Sequence, residues 1–354
     1  MQSQKKYKRI VVKVGSSLFH SDKDKLDANL ISGFTSQIAR LIKDGKEVIV
    51  VSSGAIALGM SILKLEKRPK DLSFLQAAAA IGQHELMSAY RRFFKEESLN
   101  CAQLLLTWDD FSNRERYLNA KNTINTLLKL KSVPIINEND TVSIEEIKFG
   151  DNDRLSALVS ILVGADILIM LSDVDGLMDN EKKVIKVVDK ITPAIRSLAC
   201  PTKKKACVGG MITKIEAARM SVDSGIPCVI ANGRKKDIIN SVINNPFGSG
   251  TIFLAKEDLL DAKKRWMAFG ARPKGNIFVD EGAKKALADK KSLLAVGIIS
   301  CLGNFSAGDI VGICDNKNVE FARGKSALSA KELEKAKGNR FAKEVVHRDN
   351  IVIL

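Results

Sequence analysis

Histidine is scarce in this sequence. His20, His84 and His347 are the only three in 354 residues. They are too scattered for a zinc site, and His84-Glu85 lacks the second histidine of an H-E-x-x-H helix. The six cysteines, Cys101, Cys200, Cys207, Cys228, Cys301 and Cys314, include no C-x-x-C pair. That spacing argues against a disulfide framework and for reduced, mostly buried thiols in a cytosolic protein. Aromatic residues make up only 5% of the chain against 45% hydrophobic residues overall. The core must therefore be aliphatic, which suits buried parallel strands. The longest apolar stretch, around Leu158–Leu171, is interrupted by Gly164 and Asp166 and is too short to span a bilayer. The N-terminus, Met-Gln-Ser-Gln-Lys-Lys-Tyr-Lys-Arg, has no apolar signal core. A soluble, cytoplasmic protein is expected.

What is present is positive charge and alternation. The formal net charge of +15 invites anionic partners: nucleotides, acidic substrates, RNA or lipid headgroups. It forms no basic tail, so much of it is read as solvated surface lysine. Length alone suggests two domains. Through residue 255, short aliphatic runs alternate with helical patterns. Strands are expected at Ile10–Val14, Val48–Val51, Ala102–Leu106, Val133–Asn137, Ile167–Leu171 and Cys228–Ala231, and helices near Asp27–Lys43, Asp71–Glu97, Asn113–Lys131, Arg154–Val163 and Thr213–Ser224. The pattern implies an α/β fold, a three-layer αβα sandwich around a mostly parallel open sheet. Beyond a charged helix at Lys256–Met267, glycines punctuate short strands around Ile277–Asp280, Leu293–Ile299, Asp309–Cys314 and Val319–Arg323. A last helix, Ala330–Lys337, precedes a final strand, Ile351–Leu354. The expected division is a catalytic domain at 1–255, a helical linker at 256–274 and a small β-rich domain at 275–354.

Ligands of such a sheet bind beyond the carboxyl ends of its strands, so the loops after each strand carry the information. Val12-Lys13-Val14-Gly15-Ser16-Ser17 ends the first strand with a lysine, a glycine and two hydroxyls. It can expose backbone N–H groups to an anion, although a lysine in this setting most often faces solvent. No Walker A loop exists, because Val319 stands where Gly324-Lys325-Ser326 would need its first glycine. Ser52-Ser53-Gly54-Ala55 opens a helix whose free N–H groups suit a carboxylate, or is an ordinary serine N-cap. Ile136-Asn137-Glu138-Asn139-Asp140 and Phe149-Gly150-Asp151-Asn152-Asp153 are two acid-amide clusters close together. A polar turn and an Asp N-cap explain part of them; such groups also hold an ammonium, order lysines or contact Mg²⁺ through water. Leu171-Ser172-Asp173-Val174-Asp175-Gly176 follows the most apolar strand and reads on its own as a turn. Cys207-Val208-Gly209-Gly210-Met211-Ile212-Thr213-Lys214 opens a helix with a lysine in its first turn. The helix dipole disfavours a cation there, and a nearby anion would offset that.

Together, in this order and on this strand pattern, the six loops resemble the amino-acid-kinase superfamily, and within it the glutamate 5-kinase branch. Phe305-Ser306-Ala307-Gly308-Asp309 and the closing His347-Arg348-Asp349-Asn350 resemble a PUA domain. The resemblance covers nearly the whole chain. It implies ATP-dependent phosphorylation of the L-glutamate side-chain carboxylate to give L-glutamyl 5-phosphate and ADP, the first step of proline biosynthesis. It also implies Mg²⁺, feedback inhibition by proline, and a homodimer or homotetramer. Position by position, Lys13 and Lys214 match the phosphate-binding, catalytic lysines, and Asp153 matches the acid that orients them. Ser53, Asp140 and Asn152 match residues that hold glutamate. Lys13, Gly15, Ser172, Asp173 and the run Val208, Gly209, Gly210, Met211, Ile212, Thr213, Lys214 match nucleotide contacts.

The sequence departs from the family in three places. Val208 stands where threonine or serine is usual, which removes a hydroxyl but not the neighbouring backbone amides. Met178 lies near a position that is commonly aromatic, and Lys203-Lys204-Lys205 is unusually basic. A glutamate carboxylate is already ionised at neutral pH, its pKa being about 4.3, so no general base is needed. Lys13, Lys214 and Mg²⁺ would supply the charge, while Gly15 and Gly209-Gly210 amides would cradle phosphates. Two other readings share features with this one. Another small-acid kinase would use the same loops with a different substrate side. An RNA-binding protein would act through the C-terminal domain, but no aromatic stacking platform supports it.

Overall fold

The expected aliphatic runs become strands whose side chains alternate between two helical layers. The computed structural model describes residues 7–19, 27–142, 152–199, 210–256, 261–338 and 344–354. Within them the chain divides into two compact units, 1–110 with 115–259, and 111–114 with 260–354.

The first unit holds eight strands: β1 (Arg9–Val14), β2 (Glu47–Ser52), β3 (Asn100–Leu106), β4 (Ser132–Glu138), β5 (Ile167–Ser172), β6 (Val187–Val188), β7 (Cys228–Asn232) and β8 (Thr251–Phe253). Their order in the sheet is β3-β4-β2-β1-β5-β7-β8-β6. Every neighbouring pair is parallel except β7 with β8. The mixed α/β class and mostly parallel sheet expected from the sequence are what the chain adopts.

Pleating sorts the side chains. Ile10, Val12 and Val14 of β1, Val48 and Val50 of β2, and Val133 and Ile135 of β4 share one core cluster with Ile31, Phe34 and Ile38 of the Ala28–Lys43 helix and Leu86, Tyr90 and Phe94 of the Leu72–Glu96 helix. The residues between them, Val11 and Lys13 among them, turn to the opposite face. There the Asn152–Val163 helix packs on β1, β2, β4 and β5 and against the Met211–Asp223 helix. Lys13 therefore belongs to the layer that holds Asp153 and Lys214. The lysine reading that favoured solvent is corrected by strand order. β1 is a central strand between β2 and β5, and Lys13 is 4% exposed.

Two helices meet at unusually short range. The Ala55–Ile62 helix rests on Leu72–Glu96 through Gly59 and Gly82. A Cβ on Gly82 would stand 1.8 Å from the Ala55 carbonyl oxygen, so only glycine permits the approach.

The second unit contains β9 (Gly275–Val279), β10 (Ile298–Gly303), β11 (Ile310–Cys314), β12 (Glu320–Lys325) and β13 (Ile351–Ile353) in the order β10-β9-β11-β12-β13. Its core gathers Ile277, Val279, Val311, Ile313, Leu333 and Val346. Three expectations shift. The strand expected at Leu293–Ile299 starts at Ile298; before it, Leu293 makes a single bridge to Val346 and Ala295–Gly297 forms a 3-10 turn. The Glu281–Ala288 helix, capped by Asp280 accepting from the Ala283 amide, was not foreseen. Within the expected Lys256–Met267 helix, the described part is one α-turn, Ala262–Arg265, followed by a π-turn, Trp266–Gly270. Residues 257–260 lie outside the described residues.

Candidate active site

Strand ends and helix starts converge on one cleft of 270 Å³ in the first unit. Lys13, Gly15, Ser53, Asp153, Ser172, Asp173, Gly210, Met211, Thr213 and Lys214 all line it. Its electrostatic centre is a carboxylate held between two ammonium groups. Lys13 Nζ lies 2.6 Å from Asp153 Oδ1, and Lys214 Nζ lies 3.2 Å from Asp153 Oδ2. Thr213 Oγ1 donates to Asp153 Oδ2 at 2.7 Å, and Lys214 Nζ donates to the Gly210 carbonyl at 3.2 Å.

Each placement follows from local structure. Lys13 reaches the site from the end of a central strand. Asp153 sits in the first turn of the Asn152–Val163 helix, where an acid is favoured by the dipole. Lys214 sits in the first turn of Met211–Asp223, where a cation is disfavoured. Gly210, with φ +103°, begins that helix. Asp153 offsets the misplaced charge of Lys214.

All three residues are at most 7% exposed, so each ion depends on the others. Burial pushes the Asp153 carboxyl up, but the charges of Lys13 and Lys214, with hydrogen bonds from Lys13 and Thr213, outweigh it and bring its pKa down to about 2. Two ammonium groups and one carboxylate give this triad by itself a net charge of +1. Such a centre stabilises an anion without itself needing a proton transfer.

The Gly15 expectation changes. Its N–H donates to the Leu171 carbonyl at 3.0 Å, extending the β1–β5 ladder, so it is not free for a phosphate. The amides of Ser16 and Ser17, which head the 3-10 turn Ser16–Leu18, are the orphan donors of that loop. Gly15 still matters for space: a Cβ there would stand 3.1 Å from the Leu171 oxygen and 3.6 Å from Lys13 Nζ.

Ser172 closes β5 and donates from Oγ to Asp173 Oδ1 at 2.9 Å. Burial raises the Asp173 carboxyl, but hydrogen bonds led by Ser172, with Lys214 adding charge, leave it below the usual range. Ile212 lies in the same helical turn as Lys214 without lining the cleft. Val208 and Gly209 lie outside the described residues, as does the Lys203-Lys204-Lys205 run.

Around Ser53, Asn152 Nδ2 donates to Ser53 Oγ at 3.1 Å and to Asn137 Oδ1 at 2.9 Å. The Ser53 amide donates to the Val14 carbonyl, which ties its loop to β1. Asp140 follows β4 in the turn that ends it, half-buried. Asn137 is buried at the end of β4, and its bond to Asn152 on the following helix has no local sequence signal.

A hollow of 640 Å³ also occurs within the second unit, lined by residues including Lys263, Lys325 and His347. It assembles no comparable buried charge centre.

Fold and cleft together place the chain in a known class. The model of the amino acid kinase family matches residues 8–232, and the chain belongs to that family. Residues 275–348 match the PUA domain. Among individual relatives, the chain is 45% identical to a glutamate 5-kinase of Caldanaerobacter subterraneus subsp. tengcongensis, over 98% of both chains. It is 43% identical to glutamate 5-kinases of Syntrophotalea carbinolica, covering 98% of this chain and 97% of that one, and of Pelagibacter ubique, covering 98% of each.

Proposed function

We propose that this chain transfers the γ-phosphoryl group of ATP to the side-chain carboxylate of L-glutamate, giving L-glutamyl 5-phosphate and ADP, the first step of proline biosynthesis. The observation that carries this reading is the buried Lys13–Asp153–Lys214 centre, with its surplus positive charge, in a chain similar from end to end to glutamate 5-kinases. In this proposal catalysis resides in residues 1–255, with 256–274 as linker and 275–354 as an appended domain.

Phosphoryl transfer to a carboxylate needs two anions brought together and the charge of the moving group balanced. No histidine or cysteine lines the cleft among the described residues, and none is required, because the nucleophile is already ionised. Lys13 and Lys214 bind phosphate oxygens and hold the spreading charge. Asp153 fixes their separation and keeps them desolvated at low cost. Ser16 and Ser17 amides, Gly210, Met211 and Thr213 position the nucleotide, with Val208, Gly209 and Ile212 as further contacts from the same run of sequence. Ser172 and Asp173 close it. Ser53, Asp140 and Asn152 hold the amino acid.

No group of three or more His, Cys, Asp or Glu side chains among the described residues could cage a metal. The Asp173 carboxylate, which lines the cleft, would hold Mg²⁺ carried on nucleotide phosphates through water, with most of the ion's own waters kept. Once bound, the ion would neutralise phosphate charge. The same reading brings inhibition by proline, a homodimer or homotetramer, and a cytoplasmic location. No described helix is long and apolar enough to cross a membrane.

The test is acyl-phosphate formation trapped with hydroxylamine, using ATP, Mg²⁺ and glutamate beside aspartate, acetylglutamate and no acid. Hydroxamate with glutamate alone is the expected result. Signal with another acid and not with glutamate would overturn the substrate, and no signal with any acid would overturn the reaction.

A further inference from the structure

The Asn152 carboxamide is held in one orientation by groups that cannot exchange roles. Its Nδ2 faces the Asn137 Oδ1 at 2.9 Å and the Ser52 carbonyl at 3.5 Å. A backbone carbonyl only accepts. Asn137 Oδ1 is itself fixed as an acceptor, because the Glu138 backbone N–H donates to it at 2.9 Å. The atom that Asn152 presents to both must therefore be its NH₂. Its Oδ1 is consequently turned away, buried and without a hydrogen-bond partner among the described residues. A buried acceptor left unpaired is costly, and this one belongs to a residue bonded to Ser53 at the cleft.

A third element adds a second hold on Asn137, at its other end. Asn137 Nδ2 donates to Gln83 Oε1 at 2.7 Å, and Gln83 Nε2 donates onward to Gln103 Oε1 at 3.3 Å. Gln83 follows Gly82, the glycine that lets the Leu72–Glu96 helix approach Ala55 closely. Seven residues on, at two helical turns and so on the same face, Tyr90 hydroxyl meets Ser52 Oγ at 3.0 Å. One helix face thus supports the ends of both β2 and β4. On β4 itself, Val133 and Ile135 fill the apolar part of that face, and Asn137, two residues further, continues it in polar form.

We propose that Gln83 is a positioning residue that acts through Asn137 to hold Asn152 with its oxygen available to the substrate, so that the site demands a donor there, the α-ammonium of an amino acid. This rests on the glutamate reading above. A neutral acceptor suits that purpose: it recognises the ammonium without adding negative charge beside an incoming phosphate.

The test compares glutamate with glutarate, which has the same two carboxylates and no ammonium, in the full chain. Gln83 is half-buried, so Gln83→Met should fold. It should lower kcat/KM for glutamate about tenfold, the scale of one hydrogen bond to a charged group, mainly through KM. Turnover of glutarate and the KM for ATP should stay within about threefold on the same scale, so the preference for glutamate falls. Gln83→Glu keeps an acceptor for Asn137 Nδ2 and should restore most of the preference. Equal losses for both acids in Gln83→Met, unchanged preference, or a Gln83→Glu variant as impaired as Gln83→Met would each overturn the role. If Gln83→Met does not fold, Gln83→Glu decides alone, by keeping the preference or losing it. Failure of the unaltered protein to phosphorylate glutamate would instead sink the reading beneath it.

Discussion

Replacing Asp153 by asparagine should destabilise the protein and do so in a pH-dependent way. The carboxylate lies between two buried ammonium groups, 2.6 Å and 3.2 Å away. Its pKa falls from 3.8 to about 2 in the folded chain. That shift corresponds to about 2 kcal/mol of preference for the charged form. Asparagine preserves the shape and can still accept from Thr213, but it leaves Lys13 and Lys214 buried with no counter-ion. Breaking a buried pair costs roughly 3–5 kcal/mol, less where a stranded lysine can shed its proton. A loss of about 3 kcal/mol at neutral pH is therefore expected from urea denaturation. Because the folded pKa lies below the unfolded one, the stabilisation is complete above the unfolded value and fades as pH falls toward the folded one. The gap between the two proteins should be flat above about pH 5 and narrow steadily below about pH 4. A gap under about 0.5 kcal/mol at neutral pH, or one that does not vary with pH, would refute the ionic reasoning.

The other expected outcomes can be checked alongside. Lys214→Ala should lower kcat by roughly 10²–10³-fold, the scale of one lost charge-stabilising donor; near-normal turnover in a coupled ADP assay would contradict its role. Asp140→Ala should raise KM for glutamate more than KM for ATP, because it removes a partner of the substrate ammonium; equal shifts would argue against that. Gly82→Ala would place a Cβ 1.8 Å from the Ala55 oxygen and 2.4 Å from the Gly59 nitrogen. It should cost about 1–3 kcal/mol by forcing two helices apart, seen as a lower Tm; an unchanged Tm would mean the helices part freely.

The strand-and-helix alternation was legible because β1, β2, β4, β5 and β7 are aliphatic runs that end in small or polar residues. The loops that line the cleft announced themselves in the same way. What could not be read was anything set by strand order. Lys13 looked like a solvent-facing lysine until β2 and β5 closed on either side of its strand. The Gly15 amide looked available until the Leu171 carbonyl took it. Gln83 carries no local signal at all, being one polar residue in a long helix; its meaning depends on how closely Gly82 lets that helix approach. In the second unit, Leu293–Ile299 has strand composition, but Gly297 packs against Ala283 and the chain turns before pairing begins.

Isotope transfer tests the central claim, that a glutamate carboxylate oxygen attacks the γ-phosphorus while two lysines hold its charge. Glutamate labelled with oxygen-18 in its side-chain carboxylate, ATP and Mg²⁺ would be incubated with the protein and the product cleaved with hydroxylamine, which attacks carbon. The released phosphate should carry one oxygen-18 by mass spectrometry, and Lys214→Ala should suppress that species along with turnover. Phosphate free of label, formed at the same rate with or without glutamate, would mean that water is the nucleophile and would contradict the account.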